Sequence, residues 1–256
     1  MDTKNLRDTN NTFEGYYSLL ERATRRINEY KNHITELEES DKKGIQLHRI
    51  PNSEVIQNVL KSISDELYEI FLIKYSIGEP VSSLRDNFNT FAEAFNNAKE
   101  PRYYTRIINM LSAGILLEAD NLYFGKIVEL VKKDYSKDKN KKFLNDYLID
   151  LLINYKMPEI ERVNKSFWWK KPYQIFEEIE ITTKTNKEEA VKILKKYLQK
   201  QWLPTNNTQS RGKDYHSGYW SFESGAIVKV FNLDDTMLKN LNFYPYDMVH
   251  WKGEQQ

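Results

Sequence analysis

The chain has 256 residues, 40% hydrophobic, 13% aromatic and 29% charged, too apolar and aromatic for a disordered chain of formal net charge +1. That near-neutral charge excludes the strongly basic field behind generic nucleic-acid binding, and the lack of cysteine excludes disulfides, thiolate zinc sites and a cysteine nucleophile. Glycine (9) and proline (7) are scarce, which argues against a turn-rich sandwich or barrel and for long helices.

Residues 1–120 carry 15 basic and 19 acidic side chains and residues 121–256 carry 23 and 18, so the first part is the acidic one. The opening Met1–Asp8 lacks an apolar signal core, and no run approaches the 18 or so apolar residues of a membrane span. A cytoplasmic protein is expected.

From Tyr16, the positions Leu20, Ala23, Ile27, Tyr30, Ile34 and Leu37 follow in steps of three and four, a single stripe on a long amphipathic helix. Glu36, Glu38, Glu39 and Asp41, then Gly44, close it. Asn52 or Ser53 can cap a second helix with the stripe Ile56, Val59, Leu60, Ile63, Leu67, Ile70 and Phe71, stopped at Gly78 and Pro80. A third carries Leu84, Phe88, Phe91 and Phe95 and ends before Pro101. Ile107 to Leu117 is so apolar, with Gly114 inside, that it reads as a buried central helix.

The lysine-rich run 132–142 interleaves acids and reads as a solvated helix end and turn. From Phe143, the positions Leu144, Tyr147, Leu148, Leu151 and Leu152 give another helix ending near Met157-Pro158. Pro172 fits the first turn of a helix bearing Ile175, Phe176 and Ile179, and Glu188 to Gln201 gives one more. The alternation Glu178 to Thr182 is too short to support a sheet. Residues 203–218 read as an irregular loop. The expected fold is all-α, a helical N-terminal domain (1–120) packed on a mainly helical C-terminal domain (121–256).

Chemistry is sparse. His33, His48, His216 and His250 are scattered, without metal-ligand spacing. Asp8 with Glu29-Tyr30-Lys31 formally matches the Asp…Glu-x-Lys pattern of metal-dependent nucleases, in which carboxylates hold Mg²⁺. The helical period around Tyr30 makes a solvated helix edge the competing reading. The densest constellation is Gly218 to Ile227, followed by Asp234-Asp235 and Phe243 to Asp247. On a helix, Trp220, Glu223, Ile227 and Val230 or Phe231 share one face, so Glu223 points inward. A buried carboxylate needs a partner, which makes Glu223 a node for a basic group or a tyrosine hydroxyl, or a catalytic acid. Ser224, Gly225 and Ala226 would admit a close helix, and Asp234 or Asp235 suits an N-cap before Leu238.

The run Gly218-Tyr219-Trp220-Ser221-Phe222-Glu223, then Leu233-Asp234-Asp235, then Tyr244-Pro245-Tyr246-Asp247 resembles the C-terminal signature of PoNi-type immunity proteins. Lys74 to Pro80 is similar to that family's N-terminal domain, as Leu194 to Leu198 with Trp202 is to the segment before the signature. The resemblance implies a two-part helical protein without cofactor or catalytic set. Such a protein would neutralise a PoNe-type DNase toxin of interbacterial competition by stoichiometric occlusion, touching neither nucleic acid nor membrane. It implies that Tyr219, Trp220, Phe222, Glu223, Asp234, Tyr244, Pro245 and Asp247 hold the C-terminal domain together. Acidic side chains would meet the basic surface a nuclease keeps for phosphate, and Glu36, Glu38, Glu39 and Asp41 are the expected contact. A nuclease using Glu223 or the Asp8 set, and a helical scaffold with no toxin partner, are the competing readings.

Overall fold

The stripe beginning at Tyr16 does form one long helix, α1 (Phe13–Lys42), started by Thr12, whose side chain accepts the Gly15 amide at 3.0 Å. The computed structural model describes residues 6–99, 103–133, 144–202 and 215–253. It divides into two compact units, Met1–Arg102 with Arg211–Gly218, and Tyr103–Ser210 with Tyr219–Gln256. Helices make up 70% of the described residues, which contain no strand.

In the first unit α1 packs on α2 (Asn52–Ile77), which packs in turn on α3 (Val81–Asn97). Ala23 and Ile27 interlock with Ile63 and Ile70, and Tyr16 and Leu19 with Ile73. Each leucine or isoleucine among them, fully removed from water, contributes about 1.5 to 3 kcal/mol. Leu19 is buried where the spacing favoured Leu20, which packs half-buried against the same core. Gly78 stops α2 at φ 95°, a left-handed conformation glycine adopts at no steric cost. The expected cap does not form, since Pro51 precedes α2 and makes no side-chain bond. Asn52 is instead buried under the α1–α2 connection, donating to Asp41 Oδ1 (2.7 Å) and Ile45 O (2.8 Å) and accepting from the Leu47 amide (3.0 Å).

Residues 215–218 return to this unit. His216, 7% exposed, sits 2.8 Å from Asp8 Oδ2, and Asn11 and Ser76 donate to the carbonyls of His216 and Ser217. Arg7 donates to the carbonyls of Tyr75 and Glu79 at the C-terminal end of α2, where a cation is favoured, and covers the Tyr75 ring.

The second unit is built from shorter pieces. The apolar run expected to be central is α4 (Tyr104–Leu116), followed by α5 (Asn121–Val131) and α6 (Tyr147–Lys156). Next come a single turn (Lys170–Tyr173), α7 (Ile175–Thr183) and α8 (Lys187–Tyr197), which widens into a turn over Leu198–Trp202. The unit ends with α9 (Phe222–Phe231), a tight turn at Thr236–Leu238, and α10 (Tyr246–His250). α4 packs on α9 and α6, and α7 on α8.

Two sequence expectations change here. α6 begins at Tyr147 because Asp146 caps it, while Phe143 and residues 134–142 of the lysine run lie outside the described residues. Pro172 follows a cis peptide bond in the turn before α7, so it is not in that helix's first turn. The stretch Glu178 to Thr182 is helical within α7, and residues 203–214 of the expected loop lie outside the described residues.

Candidate partner surface and the buried polar signature

The signature begins one step before a helix. Trp220 is buried in the extended run ahead of α9, not on its face, and the Ser221 amide donates to Phe243 O at 2.9 Å. Phe222 is fully buried at the first position of α9, and Tyr219 is half-buried with its ring edge-on to Phe243. Gly225 fits α9 closely against the rest of the unit. A Cβ there would stand 2.8 Å from Val249 Cγ2, 3.0 Å from Pro245 Cγ and 3.2 Å from Leu116 Cδ1. This is the close approach anticipated from Ser224, Gly225 and Ala226, and it explains why Pro245 is buried.

Glu223 is 1% exposed. Its Oε1 accepts from the Tyr197 hydroxyl at 2.9 Å and from Ser221 Oγ at 2.8 Å, and Ser224 Oγ lies 2.7 Å from that of Ser221. Of the partners anticipated for Glu223, the structure supplies the tyrosine hydroxyl. Burial pushes the carboxyl above its usual 4.5, against hydrogen bonds from Ser221, Tyr197 and Trp202 that pull it down. Burial also raises the Tyr197 hydroxyl, with the Glu223 charge adding to it. Glu223 is thus enclosed by hydroxyls of its own unit.

The two aspartates that follow divide their work. Asp234 is exposed and accepts the Thr236 amide at 3.0 Å, opening the short turn that holds Leu238. Asp235 turns inward to the Tyr244 hydroxyl (2.7 Å) and His250 Nε2 (2.8 Å). Asp247 is exposed at the start of α10, where its Oδ1 accepts the Met248 amide at 2.9 Å.

Two further buried carboxylates were not singled out from the sequence. Asp146, fully buried, caps α6 through the amides of Leu148 (2.9 Å) and Ile149 (3.1 Å). Its Oδ2 accepts from the Tyr104 hydroxyl and the Trp168 amide, both at 2.7 Å. Burial raises this carboxyl too, outweighing the four hydrogen bonds that lower it. Asp150 accepts from the Val163 amide (3.0 Å), from the amide (2.8 Å) and side chain (2.9 Å) of Asn164, and from Lys132. A less buried third, Glu180, takes a two-pronged pair from Arg162 at 2.9 Å and 2.9 Å and a bond from the Tyr147 hydroxyl. The Arg162 hydrogen bonds hold Glu180 below the usual carboxyl value in spite of partial burial. Together these groups fasten the connection between α6 and the turn at Lys170. The signal for Asp150 lay in the sequence, as a charge inside the apolar run Leu148 to Ile153.

In the first unit Glu36, Glu38, Glu39 and Asp41 are all exposed at the end of α1. Glu36, Glu38 and Glu39 make no ion pair among the described residues, whereas Asp41 accepts from Asn52. The Asp8, Glu29 and Lys31 set is not assembled. Asp8 is buried against His216, while Glu29 and Lys31 are exposed on α1, with Glu29 3.8 Å from Arg25. His33 and His48 stack ring to ring at 5.5 Å, and among the described residues no group of three or more His, Asp or Glu is arranged to hold a metal ion. No helix among the described residues is long and apolar enough to cross a membrane.

Comparison with known proteins gives a consistent picture. Residues 7–129 match the family model described as PoNe immunity protein (PoNi), N-terminal, and residues 144–248 the one described as PoNe immunity proteins (PoNi), C-terminal. Among solved structures, the crystal structure of protein PA2201 from Pseudomonas aeruginosa is similar in fold. Its TM-score is 0.62 at 16% identity, covering 90% of this chain and 87% of that one. A search of curated proteins returns no match.

Proposed function

From the premise that the chain belongs to the PoNe immunity protein (PoNi) family, we propose that it binds a cognate PoNe-type DNase toxin and neutralises it by stoichiometric occlusion. The observation that carries this reading is the paired match to the family's N- and C-terminal models along one chain. An inhibitor of this kind needs a complementary surface of roughly 800 Å² and no reactive group. The buried carboxylates fit that requirement, since each is already occupied by hydroxyls, amides or cations of its own unit.

We assign the contact with the toxin's phosphate-binding surface to Glu36, Glu38, Glu39 and Asp41, within the 1–120 part. They are exposed on about two turns of a rigid helix, and the first three lack cationic partners among the described residues. Their backbone is already ordered when an opposing basic patch arrives, and their charge steers its approach. The signature from Tyr219 to Asp247 serves, in this reading, to hold the C-terminal part together, and the protein acts in the cytoplasm of the producing cell.

Co-expression with the nuclease encoded beside its gene tests the proposal. Restored growth and a one-to-one complex on gel filtration are expected, and no rescue together with no complex overturns it. Plasmid cutting by the purified chain with Mg²⁺ or Mn²⁺ would instead support the nuclease reading.

A further inference from the structure

A groove of about 730 Å³ opens on the second unit beside α7. Lys170 and Lys171 enter it from the turn before α7 and Lys200 from the turn after α8, while α7 supplies Ile175, Glu177, Glu178 and Ile181. None of the three lysines makes an ion pair among the described residues, nor does Glu177 or Glu178. Ile181 is 61% exposed, although Ile179 on the same helix is fully buried. Trp168 and Trp169, each 44% exposed, come directly before the lysine turn. Bulky apolar and aromatic side chains left in water beside unneutralised cations resemble the anchors of a protein interface, where tryptophan contributes far more than its share of binding energy.

The charge pattern selects the occupant. A nucleic acid presents phosphates of one sign, and Glu177 and Glu178 would repel them inside the groove. A polypeptide can set carboxylates against the lysines, keep other groups near the glutamates and lay an apolar side chain on Ile175 and Ile181. We infer that this groove seats an acidic, amphipathic segment of the partner toxin, a second contact opposite in polarity to the acidic end of α1. The inference rests on the neutralisation reading above.

The test is calorimetry of the full chain against the cognate nuclease domain at low salt, repeated at about 0.5 M salt, where exposed charge pairs are screened. The triple variant Lys170→Glu, Lys171→Glu, Lys200→Glu should bind about tenfold or more weakly, with the deficit shrinking at high salt. Ile181→Asp should lose about fivefold or more, the worth of one apolar contact. Both sites are exposed, so thermal melting should be unchanged and confirms that the variants are folded. Wild-type affinity in both variants overturns the groove and leaves the neutralisation reading standing. Absence of binding by the wild-type chain overturns that reading and the groove with it. Retention of a fluorescent single-stranded oligonucleotide by the wild type, lost in the triple variant, overturns the groove as a peptide seat.

Discussion

The first unit is held mainly by stripes, with Asp8–His216 and Asn52 as its buried polar ties, and the second mainly by stitches. α1, α2 and α3 run 30, 26 and 17 residues, and their contacts repeat one motif, an apolar side chain every three or four positions against a neighbour's. Among the described residues no helix of the second unit exceeds 13 residues, and its connections are fixed by carboxylates set among hydroxyls and amides, at Asp146, Asp150, Glu223 and Asp235. Long helices can rely on area, because many small apolar gains accumulate along them. Short helices expose more unpaired backbone groups relative to their area, and a buried acid such as Asp146, which caps one helix while holding a second helix and a loop, offsets both. The cost is fragility, since each buried donor left without its acceptor costs about 1 to 3 kcal/mol.

Removing one stitch breaks the second unit's side of this contrast most severely. Asp146→Ala strands the Tyr104 hydroxyl and the amides of Leu148, Ile149 and Trp168, and should cost about 3 to 5 kcal/mol in urea unfolding. In the same assay Glu29→Ala on α1, which removes one exposed pair, should cost less than about 0.5 kcal/mol. Equal losses would mean that the second unit does not depend on its buried acids. Gly225→Ala comes next. Its methyl would press into Val249, Pro245 and Leu116, so a loss of about 1 to 3 kcal/mol is expected.

A last test sharpens the contrast through pH. The folded Glu223 carboxyl titrates above its unfolded value, so as pH rises past about 4.5 the unfolded chain releases this proton first and stability falls. Glu223→Gln removes that slope. Measured as the difference between wild type and variant, stability should decline from pH 4 to pH 8. A rise over that range would mean that the ionised form is the favoured one.

The same division explains how much could be read beforehand. Stripes are local, so α1, α2, α3 and the buried α4 follow from spacing, as does the stop at Gly78. The inward turn of Glu223 was legible as well, because a charge sharing a helix face with Ile227 must find a donor, although Trp220, expected on that face, precedes the helix. Stitches join distant positions. Nothing near Asp8 points to His216, 208 positions away, and nothing near Asp150 points to Lys132 or Asn164. Asn52 misled for a related reason. The residue type that suits a cap also suits a buried clasp, and the backbone of the α1–α2 connection, invisible to periodicity, decided which role it took. The acidic end of α1 was placed on the surface by the same helical spacing that buries Leu37.

The return of residues 215–218 to Asp8, Asn11 and Ser76 means that the polypeptide visits its first unit twice. A protease nick within 103–133 or 144–202 would therefore leave two fragments still tied to each other through the His216 clasp. Expression of either fragment by itself would leave Asp8 or His216 facing solvent in place of its mate. The molecule is consequently a poor candidate for modular exchange, and chimeras that keep the two ends of this clasp from one parent should outlast those that mix them.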